Sequence, residues 1–201
     1  MKFKEEARLG AKKVALVAVM TAAVEGAKLA LAAIPNVEAV TLLCAAYGYV
    51  FGGLGILATS LFVIIETFIW GVNTWVLSYV IHWNGVCLVF WILSKRKIRS
   101  RFWLTFTAAI LTVWFGVLTS LVDIGLFGGT YKDFWSRFAI YYMRGIWFYV
   151  VQVACNLLLF PIAFLPLVKV LEKSQNRIFP PKKLNADEKE NKLSVTEKEN
   201  S

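Results

Sequence analysis

The sequence predicts an all-α integral membrane protein, a compact bundle of six transmembrane helices with both termini cytoplasmic, and three observations lead there. Hydrophobic residues make up 58% of the chain and charged ones only 17%, against about half and about a quarter in an ordinary soluble domain. The apolar residues fall in blocks separated by short charged or Gly/Pro segments, as in a polytopic membrane protein. The net charge of +9 is concentrated in the first thirteen residues, in the run KRKIRSR at 95–101 and, weakly, after Val168. An even number of crossings puts all three on one side, as positive-inside orientation requires. That pattern leaves no continuous phosphate-binding strip, so nucleic acid is not an expected partner.

About 20 apolar residues are needed to span the bilayer core. Residues 14–34 supply the first crossing, behind the basic residues 1–13. A cleavage site at Ala30-Leu31-Ala32 is considered, but Glu25 and Lys28 interrupt the would-be signal region, so the first helix is expected to be retained. It ends before Pro35, because the residue preceding a proline is pushed out of the helical region. Residues 39–51 form a short second crossing stopped by Gly52-Gly53, and 54–70 the third, with Gly71 and Asn73 beyond it. Residues 75–93 form the fourth, which stops at the basic run, and 102–122 the fifth. A wetter connection over 123–142 leads to the sixth at 144–170, bent near Pro161 and Pro166. The membrane domain thus covers 14–173. Residues 174–201 are expected to form a disordered cytoplasmic tail.

Cys44, Cys87 and Cys155 stand alone in apolar segments, which argues against a disulfide framework or a zinc site. No Walker loop, H-E-x-x-H or G-x-S-x-G motif is present. No catalytic residue, metal or cofactor is therefore expected.

Carboxylates are costly in hydrocarbon, so Glu25, Glu38 and Glu66 must face protein, water or a ligand. Glu25 and Lys28, three apart on one helix face, neutralise each other in the simplest reading. Glu38 and Glu66, near outer helix ends, either tie loops to Arg137 or Arg144 or contact a polar ligand group. On the fourth helix Trp75, Tyr79 and His82 share a face, beside Trp83 and Asn84. On the sixth, Tyr141, Arg144, Phe148, Gln152 and Asn156 form a second stripe, with Gln152 roughly 12 Å deeper than Arg144. Each stripe serves either interhelical hydrogen bonding or the wall of a pocket. Trp83, Trp114 and Trp147 lie within crossings rather than at an interfacial belt, where Trp70, Trp75 and Trp103 belong. The first helix also carries Ala11, Ala15, Ala18 and Ala22 at steps of four, three and four, a smooth face against which another helix can pack.

These residues, with the bend Ile34-Pro35-Asn36-Val37-Glu38 and the segments FIWGVNTWVLSYVIHW (68–83) and NLLLFPIAFLPLVKVL (156–171), resemble the substrate-binding S components of energy-coupling factor (ECF) vitamin importers. The likeness runs from about Lys12 to Lys173. It implies an outward-facing pocket for a vitamin or precursor, roofed by the first, third and fifth loops. It also implies association with a transmembrane coupling protein and two cytoplasmic ATPase subunits, in a multi-pass protein of the bacterial plasma membrane. The residues expected at the ligand are Asn36, Glu38, Glu66, Trp75, Tyr79, His82, Arg144, Trp147, Phe148 and Gln152. The alanine stripe is the expected contact with the coupling protein. A planar ligand such as a pyrimidine, a flavin or a cobalamin-related base suits the aromatic content. Two other readings stay open: a small membrane enzyme pairing His82 with Glu66 or Asp123, and a membrane assembly protein without a ligand.

Overall fold

Residues 2–34, 37–127 and 133–180 are described by the computed structural model, and every regular element among them is a helix. In chain order these are α1 (Lys2–Leu31), α2 (Val40–Phe51), α3 (Gly53–Trp70), α4 (Trp75–Lys95), α5 (Arg101–Phe127) and α6 (Phe134–Leu159). A π-helical turn, Phe160–Phe164, carries α6 without a break into α7 (Leu165–Ile178). Among the described residues, five runs are long and apolar enough to cross a membrane: α1, α3, α4, α5 and the continuous Phe134–Ile178. With 12 residues, α2 is about 18 Å long, short of the ~30 Å hydrocarbon core.

Polarity is distributed as in a helical membrane protein. Phe68, Val72, Trp135 and Ile162 are exposed, while Thr59, Glu66, Ser120 and Asn156 are fully buried. Lipid leaves apolar side chains at no disadvantage outside, whereas polar ones must find partners within the bundle.

The shortest helix is the most enclosed. Nearly every residue of α2 is buried, and it packs chiefly on α4 through Gly48. A Cβ there would stand 2.0 Å from the Cys87 carbonyl oxygen, so only glycine lets the two backbones approach. Gly52, at φ +56°, then turns the chain tightly into α3. On α1 the buried face comprises Val17, Met20, Thr21 and Val24, and Thr21 Oγ1 donates to the Ala58 carbonyl at 3.2 Å, fastening α1 to α3. Thr59 and Ser60 donate to Asn84 Oδ1 at 2.7 and 3.1 Å and link α3 to α4.

The three basic segments gather at one end of the bundle. Lys12 Nζ donates to the Ile178 carbonyl at 2.8 Å, Arg99 pairs with Glu172 at 2.9 Å, and Tyr49 Oη donates to the Ile98 carbonyl at 2.9 Å. The start of α1, the α4–α5 junction and the end of α7 therefore share that end.

Two expected boundaries are corrected. The stretch 123–142, read from its polar residues as a connection, is helical up to Phe127 and again from Phe134. Aromatic rings at helical spacing hold this part of α6: Phe134 stacks on Phe138, Phe138 on Tyr142, and Tyr142 on Tyr149, with centroids 6.5, 6.0 and 5.3 Å apart. Tyr141 Oη also donates to Asp123 Oδ2 at 2.6 Å, joining α6 to the last turns of α5. At the other end the helix continues through Ile178, past residue 173, and residues 181–201 lie outside the described residues. Pro161 marks the π-helical turn rather than a break: proline cannot donate to the residue four before it, and the wider turn accommodates its ring.

Candidate functional site

At the end opposite the basic segments, α1 finishes at Leu31, α3 at Trp70, and α4 begins at Trp75. These ends enclose a hollow of about 430 Å³. α4 supplies one wall, because Trp75, Tyr79 and Trp83 recur every four residues and so project from one face. Their rings meet edge to face at 4.9 and 5.7 Å. Phe115 of α5 closes the corner, 6.0 Å from Tyr79 and 5.7 Å from Trp83. Trp70, Leu31, Ile34 and Val37 complete the apolar lining.

Four polar residues line the same hollow: Lys28, Glu38, Glu66 and Gln152. Lys28 reaches from α1 to pair with Glu66 of α3, whose side chain is buried. The other Glu66 oxygen accepts from Trp70 Nε1 at 3.2 Å. The Lys28 ammonium also lies over the rings of Tyr79 and Phe62, 5.2 and 5.8 Å from their centroids, a cation–π arrangement. Glu38 precedes α2 and accepts from the Thr41 backbone N–H at 2.8 Å and from the Thr41 hydroxyl, satisfying orphan donors at a helix start. Asn156 Nδ2 of α6 adds a bond to Glu38 at 3.2 Å and another to Thr112 of α5 at 3.0 Å. The rim of the hollow is thus tied to α2, α5 and α6 through one carboxylate. Gln152 is only 4% exposed, and its Oε1 has no hydrogen-bond partner among the described residues.

Of the residues expected at a ligand, the structure brings together Glu38, Glu66, Trp75, Tyr79 and Gln152. Asn36 lies outside the described residues. His82 shares α4 with the aromatic wall but turns from the hollow. Its ring packs between Trp83 and Phe115, both at 4.6 Å, and neither nitrogen has a hydrogen-bond partner among the described residues. Arg144 lines a separate shallow recess with Ile124, Arg137 and Tyr141. Phe148 borders a second shallow cleft beside Asp123 and Tyr141. Trp147, a deep crossing position by sequence, is 73% exposed on the outer face of α6. The α6 stripe therefore enters the site only at Gln152, with Asn156 behind it. Asn84, placed beside the wall by sequence, is engaged with Thr59 and Ser60 instead.

The Glu25–Lys28 pairing is corrected in part. Lys28 makes its direct ion pair with Glu66 and meets Glu25 only as a nearby opposite charge, and both oxygens of the buried Glu25 lack a hydrogen-bond partner among the described residues. Glu38 and Glu66 bond to Thr41, Asn156, Lys28 and Trp70 rather than to Arg144.

The lining contains residues the sequence reading did not assign to it: Lys28, Trp70, Trp83 and Phe115. Lys28 is legible in the sequence as an intramembrane charge, but helical spacing points to Glu25 rather than to Glu66. Trp70 reads as interfacial, and Phe115 carries no local signal that separates it from other phenylalanines of α5.

On the far face of α1, Ala11, Ala15, Ala18 and Ala22 are all exposed. No cluster of three potential metal ligands occurs among the described residues. Chemically, the hollow can receive a flat ring against its aromatic wall and offer the Gln152 oxygen, the Trp83 indole N–H (unpartnered among the described residues), one ammonium and two carboxylates. No family model matches the chain, and no curated protein or solved structure shows significant similarity to it.

Proposed function

We propose that this chain is the substrate-binding S component of an ECF-type importer, which captures a vitamin or vitamin precursor at the outer membrane face. A coupling protein and two ATPase subunits on other chains would then energise its delivery. The observation that carries the reading is the hollow of about 430 Å³ walled by Trp75, Tyr79, Trp83 and Phe115, with Gln152 presenting an unpartnered oxygen. Ligand sites are concave and mostly apolar, with a few aimed polar groups, and this one has that composition. Gathering of the basic segments at the opposite end supports placing both termini on the cytoplasmic side; six crossings, with the short α2 as one of them, and a bacterial plasma membrane are part of the same proposal. The hollow then faces outward, and the alanine face of α1 is left open for the coupling protein.

The enzyme alternative lacks a supporting contact, since among the described residues His82 makes no hydrogen bond to a carboxylate, the contact general acid–base work uses. An assembly protein without a ligand gives no account of the buried, unpartnered Gln152 oxygen beside an aromatic wall.

The test uses the purified protein in detergent, titrated with a vitamin panel while tryptophan emission is followed. Trp70, Trp75 and Trp83 line the hollow, so an occupant changes their environment. Saturable binding of one member at micromolar concentration or tighter is expected. A panel without any such binder overturns the reading.

A further inference from the structure

We infer that the ligand of this hollow carries a positive charge on a flat ring system; the inference rests on the hollow being the binding site and specifies its substrate class. Judged by sequence, the outer face favours neither sign, because Arg137 and Arg144 offset Glu38, Glu66 and Asp123. In the folded chain both arginines line a recess away from the hollow, and Asp123 is bonded to Tyr141. Among the described residues, the charges that line the hollow are Glu38 and Glu66 against Lys28, with the buried Glu25 three residues before Lys28 on its helix. Lys28 is committed to Glu66, and the hydrogen-bond donors to Glu38 are neutral groups, Thr41 and Asn156. The excess is negative and sits on buried or half-buried carboxylates, so a cation entering the hollow is favoured over a neutral or anionic analogue.

Two independent observations point the same way. Gln152, only 4% exposed, leaves its carbonyl oxygen without a partner among the described residues beside the hollow, an acceptor awaiting a donor or a positive centre. The aromatic wall already holds a cation, since the Lys28 ammonium lies 5.2 Å from the Tyr79 ring centroid. Trp75 and Trp83, which contact Tyr79 on either side, present further π faces of the kind that bind ring or quaternary cations.

The test compares three probes of one skeleton by calorimetry on the purified full chain at neutral pH: N-methylquinolinium, quinoline and quinaldate, which are cationic, neutral and anionic. N-methylquinolinium is expected to bind about tenfold tighter than quinoline, and quinaldate weakest. Glu38→Gln keeps an oxygen for the Thr41 N–H and is expected to lower the affinity for N-methylquinolinium several-fold more than that for quinoline, so that the preference for the cation shrinks. Equal or tighter binding of quinoline or quinaldate overturns the inference and leaves the site standing, as does a panel vitamin that binds without a positive charge. Absence of binding by all three probes and by every panel vitamin overturns the site itself, and the inference with it.

Discussion

Lys28 on α1 gives its ammonium to Glu66 on α3, not to Glu25 one turn earlier on its own helix. A pair within one helix would leave α1 indifferent to its neighbours. A pair across two helices fixes α1 against α3 beside the hollow and sets the rotation that buries Val17, Met20 and Val24.

Removing one partner of a buried ion pair strands the other, at about 3 kcal/mol or more. Lys28→Met is therefore expected to lower the midpoint of thermal denaturation in detergent markedly. The double variant Lys28→Met/Glu66→Leu leaves no stranded charge at that pair and should recover most of the loss. Equal stability of single and double variants would show that the pair does not hold α1.

The α2–α4 contact yields a sharper test, because it depends on a missing atom. A Cβ on Gly48 meets the Cys87 carbonyl oxygen at 2.0 Å, and backbone cannot be displaced as a flexible side chain can. Gly48→Ala should cost about 3 kcal/mol. Gly26→Ala on α1 meets nothing within 4 Å and should gain about 0.5 kcal/mol from helix propensity. Similar denaturation midpoints for the two variants would contradict this packing.

Binding measurements can separate residues that share a helix. Tyr79→Ala removes the middle of the aromatic wall, and a stacked ring is worth about 1 kcal/mol beyond its area, so a roughly tenfold or greater loss of ligand affinity is expected. Gln152→Ala should weaken binding to a similar extent by removing the unpartnered acceptor. Arg144→Ala and Trp147→Ala, both away from the hollow, should leave affinity unchanged. Loss of binding in Trp147→Ala with Tyr79→Ala unaffected would place the ligand elsewhere.

Much of the helical framework is legible from composition and punctuation. Gly52-Gly53, the segment before Trp75 and the basic run at 95–101 end helices where expected, and α2, α3 and α4 begin within a residue of their expected starts. The failures share a cause. Residues 134–143 look wet because Arg137 and the tyrosines are polar, yet their rings stack along the helix, which is a matter of spacing and neighbours rather than hydropathy. In the site, α4 was readable because three aromatics repeat on one face of one helix. Lys28 with Glu66, and Phe115 against Trp83, join different helices. Which face of α6 turns inward likewise depends on α5, and this is why Gln152 enters the hollow while Arg144 does not.

The alanine face of α1 supplies the last prediction. Ala11, Ala15, Ala18 and Ala22 are exposed, on the side of the helix away from the buried Val17, Met20, Thr21 and Val24. A lipid-facing surface has no need of small residues, whereas a helix docking from another chain gains close backbone contact there. Ala18→Trp fills that face without touching the hollow, so ligand affinity and denaturation midpoint of the purified chain should stay unchanged. Uptake of the same ligand by cells carrying the variant should fall to background, together with co-purification of the energising subunits. Retained uptake would show that the coupling protein docks on another face, and a parallel loss of ligand binding would mean that the bulk on α1 disturbs the Lys28–Glu66 contact instead.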